Sequence, residues 1–308
     1  MRALLLLVLT GSAAHADPLP AASCVDDGVP YDAAVMKDRV AFLASPKLDG
    51  RAPGSTGDAA TRAFLVERFR CLGLTPAGAD FELPFTTDGV ATANVVGYVQ
   101  GSDPDAGIVY VTAHHDHLGA GHLGANDNAS GIVGLLAIAQ AVRQRATPPR
   151  RTIAFAAFGA EEGGMIGSYA YAKHPPAALP NDRVVQVVNL DMIGSHASHQ
   201  LVAAMGAFRG QPSRKLLDGL VGKFKKISVA SGGVARGSDY EPFCKLGIPY
   251  VFFWTPDGRC YHERCDKADK LDYPHMVDIA ALAGALTEVL ADTAIDLLAS
   301  RAKLGCGV

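Results

Sequence analysis

Six short runs rich in β-branched and aromatic residues punctuate the chain beyond residue 94, at 94–100, 108–113, 152–158, 184–190, 200–204 and 250–254. Their length and composition predict strands. Helical spacing of apolar side chains fills much of the rest. It is seen over 31–45 (Val35, Val40, Phe42, Leu43) and over 56–72 (Ala60, Phe64, Leu65, Phe69, Leu72), where Gly73 supplies a stop. A third helix, from about Ala129 to Gln144, is apolar nearly all round and stops before Pro148-Pro149, which predicts that it is buried. Residues 212–224 and 274–299 read as amphipathic helices, the last closing the domain. Strands alternating with helices predict an α/β fold, with a mixed, largely parallel central sheet and helices on both faces.

The first sixteen residues stand apart. Arg2, the apolar run Ala3 to Leu9 and a small-x-small pattern ending at Ala16 read as a secretory signal, too short to cross a bilayer. A Pro/Ala-rich leader over 17–30, one domain over 31–300 and a short tail over 301–308 are expected to follow. No later run looks long enough to span, so the expectation is a soluble, exported protein, periplasmic or extracellular. The six cysteines all follow the signal, and an even number there permits disulfides. Cys260 and Cys265 are the expected local pair, bracketing His262, and no C-x-x-C pair supports a zinc ribbon. With 28 basic and 31 acidic residues the net charge is −3, and no basic stripe is present to neutralise phosphates, which argues against nucleic acid.

The chemistry lies where strands end. Open α/β sheets bind ligands at the carboxyl ends of their strands. There, Val109-Tyr-Val-Thr-Ala runs into His114-His-Asp116-His, Ile153 to Ala160 runs into Glu161-Glu162, and Val187-Val-Asn-Leu runs into Asp191. Asp127 follows in Gly124-Ala-Asn-Asp-Asn-Ala-Ser-Gly, just before the buried helix. Taken singly, each has an ordinary explanation: a hydrogen-bonded loop histidine, a helix cap, a solvated Glu pair, a turn aspartate. Together at one sheet edge, so many carboxylates would repel one another and resist burial unless cations compensated them. A mixture of imidazole and carboxylate suits zinc.

The ordered set His114-x-Asp116, Gly124-Ala-Asn-Asp127-Asn-Ala-Ser-Gly, Glu161-Glu162, Asn189-Leu-Asp191-Met, Ser238-Asp239 before Pro242-Phe243, and His262 resembles the co-catalytic two-zinc aminopeptidases that include the secreted bacterial leucyl aminopeptidases. Leu43-Ala-Ser-Pro-Lys-Leu-Asp-Gly-Arg51 and Gly54-Ser-Thr-Gly57 look like that family's N-terminal segment, and the resemblance covers roughly 36–295. It implies two zinc ions, one on His114 and Asp191, the other on Glu162 and His262, with Asp127 bridging. It also implies Glu161 as general base, a choice that spacing leaves open between the two glutamates. Asp116 is expected to accept the ring N–H of His114 and fix its tautomer. Peptides with a free N-terminus are the implied substrates, and no protease-associated insert is expected, because no extra stretch of about 100 residues separates the N-terminal segment from the first site strand.

Two features depart from the resemblance. Tyr240 stands after Ser238-Asp239 where histidine is common, and the stretch Gly232 to Gly237 lacks the tyrosine that some relatives place there. Arg236, Tyr240 or Tyr261 could take that role, and with Ser238 and Asp239 they form the expected substrate pocket. His115, His117 and His122 read as pocket lining or solvated, and His174, His196, His199 and His275 as surface. The competing readings are glutaminyl cyclisation on the same scaffold, against which Asn128-Ala-Ser-Gly looks like the peptidase version, and a metal-binding module without catalysis, against which no ligand or base is missing. No Gly-x-Ser-x-Gly elbow supports a serine hydrolase.

Overall fold

The computed structural model describes residues 28–195, 200–233 and 237–304. The signal and most of the leader lie outside them, as do Arg236, His196 and His199. Two helices open the described chain, α1 (Ala33–Leu43), capped by the Asp32 carboxylate, and α2 (Thr56–Cys71), capped by Ser55. Nine strands follow with their helices: β1 (Thr75–Pro76), β2 (Glu82–Thr87), β3 (Val90–Val99), β4 (Ile108–His114), α3 (Gly131–Arg143), β5 (Thr152–Phe158), α4 (Ile166–Lys173), β6 (Val184–Leu190) and β7 (Leu201–Met205). Then come α5 (Pro212–Val221), β8 (Ser228–Ser231), α6 (Glu241–Lys245), β9 (Tyr250–Trp254), α7 (Tyr273–Asp292) and α8 (Leu297–Leu304).

The sheet order is β1-β3-β5-β4-β6-β9-β7-β8, with β2 paired to the outer edge of β3. Its centre, β5-β4-β6-β9, is parallel, and the pairings of β3 with β5 and of β7 with β9 are antiparallel. Successive side chains of a strand point to opposite faces. Val109, Val111 and Ala113 of β4 accordingly enter the core under α1, α2, α3, α5 and α7, while Ile108 and Tyr110 enter a second core with Tyr171, Phe243 and Tyr250. The expected α/β fold with helices on both faces is the observed one. Because the four central strands run the same way, their carboxyl ends share one edge.

Two boundaries differ from the sequence reading. β3 begins at Val90 rather than 94, as the second arm of a hairpin with β2 whose two-residue turn, Asp88-Gly89, has φ of 49° and 78°. The expected helix 274–299 ends at Asp292. There the buried Arg151 guanidinium draws in the carbonyls of Leu290, Thr293 and Ile295 and turns the chain outward before α8. α7 is long and apolar enough to span a membrane, but it packs along α1, α3 and α5 as a core helix.

Candidate metal centre

β4 delivers His114 as its last residue, and β6 is followed at once by Asp191. Beyond β5 the chain turns through Ala160, at φ 55°, and presents Glu161 and Glu162. Asp127 sits in the irregular turn Ala125–Ser130 before α3, and His262, at φ 58°, in the loop after β9. Five segments separated in sequence therefore meet at one sheet edge. His114 Nε2 is 3.3 Å from Asp127 Oδ1 and 3.3 Å from Asp191 Oδ1. His262 Nε2 is 3.2 Å from Asp127 Oδ2 and 3.0 Å from Glu162 Oε2. Asp127 thus offers one oxygen to each histidine. Glu161 Oε2 stands slightly apart, 3.9 Å from His114 Nε2.

These separations suit a metal. Zinc bonds of about 2.0–2.1 Å in tetrahedral array place neighbouring donor atoms about 3.3–3.4 Å apart. The observed edges are 3.0, 3.2 and 3.3 Å. His262 Nε2, although close to two carboxylate oxygens, makes a hydrogen bond to neither, as befits donor atoms aimed at a common point. The residues present fit the donor set of zinc.

Several of these side chains are held from behind. Asn189 on β6 accepts from Thr112 of β4 (2.6 Å) and donates to the Ser238 hydroxyl (2.7 Å), which donates to Asp191 Oδ2 (2.6 Å). That relay leaves Oδ1 of Asp191 facing His114. Asp116 takes a different part from the expected one. The ring Nδ1 of His114 lies 3.1 Å from the Asp116 main-chain oxygen but 3.7 Å from its carboxylate. The carboxylate instead accepts the backbone N–H groups of Glu161 (2.9 Å) and Glu162 (3.2 Å) and so fixes the turn that presents them. Asp266 does the same for the Asp127 turn, accepting from the N–H groups of Asn126 (2.7 Å) and Asp127 (2.9 Å).

Charge is crowded here. Burial pushes the Glu161 carboxyl up to about 10, opposed by His114 and reinforced by Asp191, Asp239 and Asp116. Burial likewise raises Asp239 to about 7 and Asp266 to about 6. For Asp127 burial is outweighed by the adjacent His114 and His262 rings, which hold it well below the usual carboxylate range. Arg51 is the buried counter-charge, 1% exposed. Its guanidinium donates to the main-chain oxygens of His115 (2.8 Å), Leu43 (2.6 Å), Leu123 (2.8 Å) and Gly124 (2.9 Å).

The expected pocket residues separate. Tyr261 lies at the mouth, 53% exposed, its ring stacked 3.8 Å from that of His262. Tyr240 is no rim residue: it is 1% exposed and stacked 4.0 Å from Tyr250, because the turn after Asp239 directs it into the second core. Ser238 and Asp239 are both fully buried, behind the cluster rather than in an open pocket. Cys260 and Cys265 form the expected disulfide around His262, and Cys71 and Cys244 are disulfide-bonded too. His117, which sequence reading left as lining, is wholly buried and groups with Asp127 and Glu162 as a metal-capable set. His275, read as surface, is 5% exposed in the first turn of α7.

Fold and cluster together define an α/β protein of the zinc-peptidase type, with its histidines and carboxylates gathered at the strands' carboxyl ends. The chain belongs to peptidase family M28, whose model matches residues 94–287. Aminopeptidase YwaD of Bacillus subtilis is 35% identical over 153 residues, 48% of this chain and 32% of that protein. The chain spans less than two thirds of the length of the curated relatives it matches. A zinc aminopeptidase from Bacillus subtilis shares the fold with a TM-score of 0.73 at 17% identity, over 86% of this chain and 97% of that one. Glutaminyl cyclase of Porphyromonas gingivalis shares it with a TM-score of 0.70 at 18% identity, over 84% of this chain and 99% of that one.

Proposed function

We propose that this chain is an aminopeptidase that removes N-terminal residues from peptides with the aid of two zinc ions. In this reading His114 and Asp191 hold one ion, Glu162 and His262 the other, and Asp127 bridges them. The observation that carries it is the two-sided use of Asp127, with Oδ1 toward His114 and Oδ2 toward His262. Bound there, zinc would acidify a water molecule and polarise the scissile carbonyl.

The chain's own residues supply the rest. Glu161, standing just outside both donor groups, takes a proton from the attacking water at Oε2 and returns it to the departing amine nitrogen. Burial among other carboxyls raises its proton affinity, which suits it to accept the proton of the attacking water. Glu161, which is outside the proposed zinc ligands, leaves an acidic group suited to a substrate ammonium. A substrate carboxylate finds no welcome from Arg51, which is buried and engaged by four carbonyls. This supports selection of the amino end. Among the described residues no cysteine is free, which supports an oxidising compartment and hence export to the periplasm or beyond.

The test is turnover of aminoacyl-p-nitroanilides with free and with N-acetylated amino groups, before chelation, after it, and after zinc is restored. Zinc-dependent cleavage of the free-amine substrates alone is expected. Cyclisation of N-terminal glutaminyl peptides without any such cleavage would overturn the reading.

A further inference from the structure

His117 has no part in the mechanism above, yet its ring is wholly buried against the cluster. It lies on the loop leaving β4, and the loop folds back over it so closely that a Cβ on Gly124, at φ 61°, would fall 2.5 Å from His117 Cγ. Its Nδ1 is 2.5 Å from Glu162 Oε1 and 4.0 Å from Asp127 Oδ2. The other oxygen of the same carboxylate, Oε2, is the one that approaches His262 Nε2 at 3.0 Å. Two histidines therefore divide the two oxygens of Glu162 between them. The rings of His117 and His262 stand edge to face, their centroids 6.0 Å apart.

The distances decide what His117 does. Two donor atoms on one tetrahedral zinc lie about 3.3–3.4 Å apart, so a 2.5 Å approach is too close for Nδ1 and Oε1 to be joint ligands. It is instead a hydrogen-bond contact, and a charged acceptor draws such contacts short. A free carboxylate can swing about its last torsion and offer a metal either one oxygen or both. With Oε1 occupied by an N–H, only Oε2 faces the position beside His262 and Asp127.

We infer that His117 is a positioning residue for the metal centre: as the Nδ1–H tautomer it donates to Glu162 Oε1 and holds that glutamate as a one-oxygen ligand. The inference rests on the reading that a zinc ion binds Glu162 and His262. It sets the two ions apart, since the relay through Ser238 restrains Asp191 by a hydroxyl whereas a ring buried in the loop restrains Glu162. Loss of an outer partner of this kind typically weakens metal binding about 10–100-fold.

The experiment is zinc titration of the metal-free protein against a chromophoric chelator, for the wild type and for His117→Phe, His117→Asn and His117→Gln, with thermal unfolding of each metal-free form alongside. Asparagine places an amide N–H near the position of Nδ1, glutamine carries it one carbon further, and phenylalanine fills the space without a donor. The expected result is a roughly 10–100-fold weaker zinc site in His117→Phe and His117→Gln, recovery to within about 5-fold in His117→Asn, and little change at the other site. Equal zinc affinity in the wild type and His117→Phe would overturn the inference. So would His117→Asn binding as weakly as His117→Gln, because the imidazole itself would then be the ligand. If His117→Phe does not fold, the Asn and Gln pair decides alone. A wild type that takes up no zinc would instead sink the functional reading, whereas two tight zincs in every variant would sink only this inference.

Discussion

Replacing Arg51 with methionine should loosen the protein from within. The guanidinium is 1% exposed and reaches four main-chain oxygens, those of His115, Leu43, Leu123 and Gly124. Two of these flank the turns that carry His114 and Asp127. A hydrogen bond from a charged group contributes about 1.5–3 kcal/mol net, so four give a gross loss of about 6–12 kcal/mol. Part is recovered because the methionine need not be desolvated as a cation, and burial already lowers the arginine's pKa to about 10. A net loss of about 3–5 kcal/mol remains, close to that seen when one partner of a buried ionic network is removed. The charge matters as well, since the fields of Asp116, Asp266, Asp127 and Glu162 all reach Arg51. Removing it leaves those carboxylates less compensated, most of all when no metal is bound. Urea unfolding of wild type and Arg51→Met, each with zinc and with chelator, measures both effects. The loss should be larger in chelator, and Arg51→Lys, which keeps the charge but offers three donors in place of five, should fall between. A loss under about 1 kcal/mol in both conditions would refute the reasoning.

Other perturbations probe the cluster more directly. Glu161→Gln should lower turnover of a free-amine substrate about 100-fold or more while zinc content, measured by atomic absorption, stays at the wild-type level. Asp127→Ala removes the carboxylate that faces both histidines, so both zinc equivalents should weaken on titration, and full retention of two would show that the bridge is misplaced. Tyr240→Phe keeps the ring stacked on Tyr250 and should leave kcat/KM within about 2-fold; a larger fall would return that residue to the substrate pocket. Chelation of the wild type should lower its melting temperature, because a cation that binds only the folded cluster stabilises it by mass action. An unchanged melting temperature would count against tight zinc binding.

Much of this was legible before any coordinates. Strands β4, β5 and β6 are buried along their whole length, so they read as largely apolar runs, and the candidate residues lie at or just beyond their carboxyl ends. The edge of the sheet was harder. β2 is half-exposed and contains Pro84, and it was missed although Asp88-Gly89 is a strong hairpin signal. β8, at the other edge, has four residues with no buried position to give it a pattern. Candidate ligands stand out in the sequence because strand ends gather them. Their supports could not, because Asp266 reaches Asp127 across 139 residues and Arg51 reaches Gly124 across 73, and no local pattern records such contacts. Tyr240 was misplaced for a related reason: which way a side chain leaves a turn depends on the core it meets.

The loop bearing His262 also bears Asp266, whose carboxylate grips the backbone of the Asp127 turn, and Asn126 in that turn reaches back to Asp257. The two segments, though far apart in sequence, are therefore one mechanical part. Anyone grafting a relative's rim onto this scaffold to change its selectivity would need to exchange both together. A transplant of residues 255–267 alone would bring in a foreign grip on a native turn, and the mismatch would be felt first at Asp127, on which both halves of the centre depend.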